Sequence, residues 1–134
     1  MITRLTLVAI RLFLAANLLY GAIFLKFAGV PGAVALFAEM SRAFHGFISQ
    51  PLFRLSSAVF ETLVAILLLI PKTARLGAGL TVVWMTAVFL SHIFVLGYGG
   101  FFVDALLMMV LAVSYLRLTS RQSTRDELKA LARR

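Results

Sequence analysis

Four long apolar segments divide this chain of 134 residues. Each is close to the ~20 residues that a helix needs to cross the hydrocarbon core of a bilayer. Because the backbone finds no water to bond with in that core, each segment is expected to be helical. The sequence therefore predicts an all-α membrane protein, a four-transmembrane-helix bundle that forms a single domain over residues 1–134. The expected spans are residues 5–28, 52–70, 76–96 and 101–118.

Composition also indicates a membrane protein, because 62% of the residues are hydrophobic and only 13% are charged. A soluble domain of this length buries only part of its chain, and the remaining apolar surface would aggregate in water. The net charge of +8 is also found in nucleic-acid-binding proteins. Here, however, about half of the basic residues flank apolar segments, as the positive-inside rule requires. We therefore expect the lipid bilayer, and not nucleic acid, as the partner.

The distribution of basic residues predicts the orientation of the bundle. With the N-terminus inside, the outer side carries only Lys26, Arg42 and Arg54. The inner side then carries Arg4, Lys72, Arg75, Arg117 and the five basic residues of the tail over residues 119–134. The positive-inside rule accordingly predicts that both termini are cytoplasmic, in an inner (plasma) membrane of the bacterial type. Since the chain has no cysteine, disulfides, thiol chemistry and iron–sulfur ligation are excluded.

Residues 31–50 differ from the spans because apolar side chains recur at helical spacing on one side only. Glu39, Arg42 and His45 recur on the other side. This pattern predicts an amphipathic helix in the membrane interface between the first and second spans. The alternative is re-entry into the bilayer, where the three polar side chains would need internal partners.

The tail after residue 118 is polar and basic. Thr124 and Glu127 have the spacing of a capping box, which predicts a short helix from Glu127. That helix would rest on anionic headgroups through Arg125, Lys129, Arg133 and Arg134. A frayed, solvated tail is the alternative.

Glu61 lies at the middle of the second span, nine residues after Leu52 and nine before Ile70. A charge near the bilayer centre costs on the order of 2.5–3.5 kcal/mol on insertion scales, so it is kept only where something offsets it. Small residues on the same face let a neighbouring helix approach closely, so Glu61 should point into the bundle. It is then either ionised beside a cation or protonated by desolvation. Its role is either in a ligand site or as an internal clamp between helices.

The first span carries a matching stripe, in which Arg11 and Lys26 share one narrow sector of the helical wheel. Both cations are expected to face the bundle interior, with snorkelling to the membrane surface as the alternative. Asn17 and Tyr20 lie nearer to Glu61 in depth but on a different face. They are expected to serve as hydrogen-bond partners or as packing contacts between helices.

His92 lies in the outer third of the third span, and its level differs from that of Glu61 by about 7–8 Å at 1.5 Å per residue. Side chains of this length can close much of that gap, although a lone histidine in an apolar helix is usually a core residue. Asp104 is expected in the first turn of the fourth span, where the helix dipole favours a carboxylate. That account is favoured over a role in a site. His45 and His92 are the only histidines, and no metal site is predicted.

Several short motifs, taken in order over roughly residues 8–97, resemble the DoxX family of small four-helix membrane proteins. They are Arg11 with its following apolar run, Tyr20-Gly21-Ala22 leading to Phe24-Leu25-Lys26, Phe60-Glu61-Thr62 running into Leu67-Leu68-Leu69-Ile70-Pro71, Thr73-Ala74-Arg75-Leu76-Gly77-Ala78, and Trp84-Met85-Thr86-Ala87 with His92. The resemblance implies the four-helix fold and adds weight to Arg11, Lys26, Glu61 and His92. It also implies an association with quinone-linked oxidoreductase complexes, membrane antioxidant assemblies or receptor assembly.

Two functions from different classes remain open. In one, the bundle binds a quinone or similar lipophilic ligand, and Glu61 and His92 act as the catalytic pair that handles protons at its carbonyl oxygens. Arg11 and Lys26 would stabilise the anionic form. In the other, favoured function, the chain is an auxiliary or scaffold subunit of a membrane-associated redox enzyme. No intrinsic cofactor is predicted, so electrons must come from elsewhere. An oligomer is compatible with both functions.

Overall fold

A computed structural model of the chain describes the backbone of residues 2–131 and the side chains of residues 4–124 and 131. This part of the chain is helical throughout, apart from short connections, and contains no strand. Two of the helices end in π-helical segments, in which the turns are wider than in an α-helix. The elements are α1 (Ile2–Leu19) with its π-helical segment (Tyr20–Phe27), α2 (Pro31–Ala43), α3 (Gln50–Leu69), α4 (Ala74–Ser91) with its π-helical segment (His92–Leu96), and α5 (Gly100–Leu131).

Four helices are long and apolar enough to cross a membrane: Arg4–Phe27, Gln50–Leu69, Ala74–Leu96 and Gly100–Thr124. In each, only 17% to 33% of the apolar window is buried inside the protein, so most of its side chains point outward. A surface of this kind is stable in lipid and not in water. The chain is therefore a multi-pass membrane protein, and the predictions of an all-helical fold and of four spans are confirmed.

The four spanning helices form a closed ring around a narrow core. α1 packs against α3 and α5, and α4 packs against the same two helices. The connections at residues 70–73 and 97–99 are too short for anything but antiparallel neighbours. Small side chains at the centre allow the helices to approach closely, as in other membrane bundles. They include Ala15, Ala22, Ala58, Ala65, Ala78 and Ala112, each 0–1% exposed.

α4 approaches α3 closely at Gly77. A Cβ atom there would lie 2.8 Å from the backbone nitrogen of Leu68 and 3.1 Å from the carbonyl carbon of Leu67. Neither backbone atom can move without displacing α3. Glycine at this position therefore sets the spacing between α3 and α4.

α2 covers one end of the bundle, where it packs against α3 and both π-helical segments. We call this the α2 end. The helix is shorter than the predicted 31–50, because His45 and Gly46 adopt positive φ angles of 52° and 73° and end the helical path. Phe37 and Met40 are buried and Glu39 is exposed, in keeping with the amphipathic pattern. Residues 44–49 form a loop, which the Ser41 hydroxyl stabilises by donating to the Ile48 carbonyl at 2.7 Å.

α5 continues well beyond the predicted fourth span. Residues 101–131 contain no glycine or proline, and the helix runs without interruption to Leu131. The prediction of a separate helix that starts near Glu127 is therefore wrong. The Thr124 hydroxyl donates to the Ser120 carbonyl at 3.2 Å, within the helix, instead of capping a new one. The proposed headgroup contacts lie outside the described part, since Arg133, Arg134 and the side chains of Arg125 and Lys129 are not described.

Candidate ligand-binding site

A cavity of about 620 Å³ lies among the four spanning helices near the α2 end. Residues of all five helices line it, so it forms only when the whole bundle is assembled. Its walls are mainly apolar, and they include Leu18, Phe37, Met40, Phe53, Met85 and Val88. Polar side chains interrupt these walls at a few positions, namely Asn17, Tyr20, Lys26, Ser57, Glu61, Trp84, Ser91, His92 and Asp104.

Glu61 is the most heavily engaged of the polar side chains. It is only 4% exposed, and groups from two other helices contact its two carboxylate oxygens. The Lys26 ammonium donates to Oε2 at 2.5 Å, and the Trp84 indole N–H donates to Oε1 at 2.8 Å. A carboxylate this far from water needs such partners. The contacts tie α1, α3 and α4 together at the cavity.

The backbone around Lys26 is arranged to bring its side chain to Glu61. Lys26 lies in the π-helical segment of α1, and the Arg54 guanidinium donates to its carbonyl oxygen. Gly21 lies beside the ion pair, since a Cβ atom there would be in ordinary van der Waals contact with Glu61 Oε2 at 3.5 Å and with Lys26 Nζ at 3.7 Å. π-helical turns often occur at functional sites. Here the wide turns lie where α1 contributes a charge to the cavity.

Asp104 forms the second polar contact across the cavity, with Asn17 of α1. The Asn17 amide donates to Asp104 Oδ1 at 2.9 Å. Asp104 was predicted to lie in the first turn of its helix. This prediction is wrong, because α5 begins at Gly100 and Asp104 is its fifth residue. The helix dipole acts mainly within the first turn. The position of Asp104 is therefore better explained by its hydrogen bond with Asn17 and by its place in the cavity wall than by the helix dipole.

His92 is 5% exposed and lines the same cavity. Its Nδ1 lies 2.9 Å from the Val88 carbonyl oxygen. A carbonyl can only accept, so Nδ1 carries a hydrogen, and in the neutral form of the ring Nε2 is an acceptor. Among the described side chains, no group of three or more His, Cys, Asp or Glu residues is placed to hold a metal ion.

The structure brings five of the six predicted site residues to one cavity. Tyr20 lines it while remaining 58% exposed, with its ring stacked on Phe24 at 5.7 Å between centroids. Asn17, Lys26, Glu61 and His92 are the other four. Arg11 is not among the lining residues. It lies on α1 nearer the N-terminus, and its buried Nε has no hydrogen-bond partner among the residues that the structure describes.

The contact between Trp84 and Glu61 was not predicted from the sequence. It could have been predicted from the distances of the two residues from the connection between α3 and α4. Glu61 lies about nine residues before that turn and Trp84 about eleven after it, so the two reach similar depths in antiparallel neighbours. A buried indole N–H needs an acceptor, and in an apolar span the nearby carboxylate supplies it.

Comparison of the chain with protein-family models, with curated proteins and with solved structures finds no match in any of the three.

Proposed function

We propose that this chain is a membrane protein that binds a lipophilic ligand between its spanning helices. The observation that carries this proposal is the cavity of about 620 Å³, which is within the usual size of small-molecule sites. Such sites combine apolar walls with a few convergent polar groups, and this cavity has both. Its position inside the bundle favours a ligand that arrives through the lipid.

A quinone is the ligand that the DoxX resemblance suggests. Its ring would lie among the apolar and aromatic side chains, and its carbonyl oxygens would need donors such as the Tyr20 hydroxyl or the remaining N–H groups of Lys26. His92 Nε2 is placed to take a proton from a reduced ligand, while Glu61 would first have to leave one of its present donors. Since the chain offers no electron-carrying group, a membrane-associated redox enzyme would exchange the electrons.

The fluorescence of Trp84 provides a direct test, because it is the only tryptophan of the chain and it lines the cavity. A short-chain quinone added to the protein in lipid nanodiscs should quench this emission with a saturable dependence on quinone concentration. Ala33→Phe adds bulk to the cavity wall on α2 and should abolish the saturable part. Ala43→Phe makes the same change at the exposed end of α2, away from the cavity, and should leave it intact.

Quenching that rises linearly without saturation in the wild type would reflect collisions in the lipid and would refute a quinone site. Equal quenching in Ala33→Phe and in Ala43→Phe would refute the assignment of the quinone site to this cavity.

The second candidate function is an auxiliary or scaffold subunit of a membrane-associated redox system. It is favoured by the two donors on Glu61, since a clamp between helices would satisfy both oxygens in this way. Under this function the wild type co-purifies with a partner protein and shows no saturable quenching. Glu61→Gln would then change stability or partner capture, whereas under the ligand-binding function it leaves a folded bundle that has lost its ligand.

The proposal also includes the placement in the membrane. α2 lies in the outer interface, both termini are cytoplasmic, and the membrane is an inner membrane of the bacterial type, as the basic residues favour. Because the chain has no native cysteine, a single introduced cysteine is the only thiol that a maleimide can label, and its side of the membrane can be tested. A membrane-impermeant maleimide on intact cells should label Ser49→Cys and should label Lys72→Cys only after permeabilisation. The reverse pattern would overturn the orientation.

A further inference from the structure

We infer that the cavity selects a lipophilic cation, whose positive charge Asp104 holds. This inference rests on the proposed function, and it names the class of ligand. Four titratable side chains other than Tyr20 line the cavity: Lys26, Glu61, His92 and Asp104. Lys26 and Glu61 form an ion pair at 2.5 Å and cancel each other. When His92 is neutral, no described side chain that lines the cavity is left to supply a counter-charge for Asp104.

The hydrogen-bonding groups of the cavity lead to the same class of ligand. Lys26 and Trp84 each donate one hydrogen bond to Glu61, and Asn17 donates one to Asp104 Oδ1. Among the described residues, nothing donates to the second carboxylate oxygen of Asp104. His92 Nε2 is a second free acceptor. A ligand that presents positive charge or N–H groups matches these two acceptors.

Two aromatic rings lie beside the approach to Asp104. Tyr20 follows Asn17 by three residues and Phe101 precedes Asp104 by three, so in these antiparallel helices both lie one turn nearer the α2 end. Both line the cavity and are also more than half exposed, at 58% and 53%. Cations are attracted to aromatic faces. The two rings therefore form the lipid-facing approach to the free carboxylate.

The surroundings of Asp104 make a positive ligand favourable. A carboxylate among apolar helices is costly unless it is paired, and a single amide donor from Asn17 offsets only part of that cost. Arg11 and Arg54 do not line the cavity, and Lys26 is committed to Glu61. The remaining counter-charge must come from the ligand.

The test compares two ions of the same shape and opposite charge, tetraphenylphosphonium and tetraphenylborate. Their binding to the protein in nanodiscs is measured after subtraction of binding to protein-free nanodiscs. The wild type should bind the phosphonium saturably and more tightly than the borate. Asp104→Asn should weaken phosphonium binding by about tenfold or more, since it removes the charge partner from a half-buried position in the cavity. Glu39→Gln removes the same charge from the exposed face of α2 and should change nothing.

Phe101→Leu is a milder second variant, which keeps the carboxylate and the apolar volume. It should weaken phosphonium binding by roughly two- to fivefold through loss of the ring face. Equal binding of the two ions by the wild type would overturn the inference, as would phosphonium binding unchanged in Asp104→Asn. If the borate or a neutral quinone binds saturably and the phosphonium does not, the inference fails while the proposed function stands. If no probe binds saturably, the proposed function itself fails.

Discussion

Lys26→Met is expected to lower the free energy of unfolding by about 3–5 kcal/mol, the usual cost of breaking a buried ion pair by removing one partner. The physical reason is the position of Glu61, whose side chain is 5% exposed and would lose the ammonium at 2.5 Å. Reversible unfolding in mixed micelles with increasing dodecyl sulfate, followed by Trp84 fluorescence, would measure the change. Lys72→Met, on the exposed connection between α3 and α4, is the matched control and should have little effect.

The double variant Lys26→Met, Glu61→Gln separates the ion pair from general packing. Removing both charges leaves no buried, unpaired carboxylate, so the double variant should recover much of the stability lost in Lys26→Met. If Lys26→Met costs no more than Lys72→Met, the pair contributes nothing measurable to the fold. In that case Lys26 is held near Glu61 for another reason than stability.

Gly77→Ala is expected to destabilise the bundle by about 1–3 kcal/mol, as overpacking of a close contact usually does. The added Cβ would lie 2.8 Å from the backbone nitrogen of Leu68, so α3 and α4 would have to separate. Gly79→Ala is an unusually close control, two residues further along the same helix. Nothing lies within 4 Å of a Cβ at that position, and alanine there should be neutral or stabilising by roughly 0.5–1 kcal/mol. The same unfolding measurement applies, and similar effects of the two variants would show that Gly77 does not set the helix spacing.

The spans were predictable because their signal is local. Length and apolar composition determine each of them, and helix bounds agree with the predicted ones to within a few residues at most ends. The inward direction of Glu61 and Lys26 also follows from local patterns, since the stripe through Lys26 and the small residues beside Glu61 lie on single helical faces. The pairing of these two residues with each other, 35 positions apart, was left open by the sequence.

Features that depend on contacts between distant segments could not be predicted in the same way. The bond between Asn17 and Asp104 joins residues 87 positions apart and depends on the depth at which α5 begins. The π-helical segments contain no proline and no charge pattern that would predict them. The end of α2 at Ala43 depends on the positive φ angles of His45 and Gly46, and histidine gives little indication of such a conformation.

The π-helical segments and the unbroken helices contribute different charged side chains to the cavity. A π turn contains more residues than an α turn, and its conversion to α-helix moves the residues beyond it along and around the helix axis. The segments occur in α1 and α4, which supply the lysine and the histidine of the cavity. α3 and α5, which supply its two carboxylates, are unbroken α-helices. The two carboxylates of this cavity are thus carried on unbroken α-helices, while its lysine and its histidine are carried on π-helical turns, where a change of register would move both relative to the carboxylates.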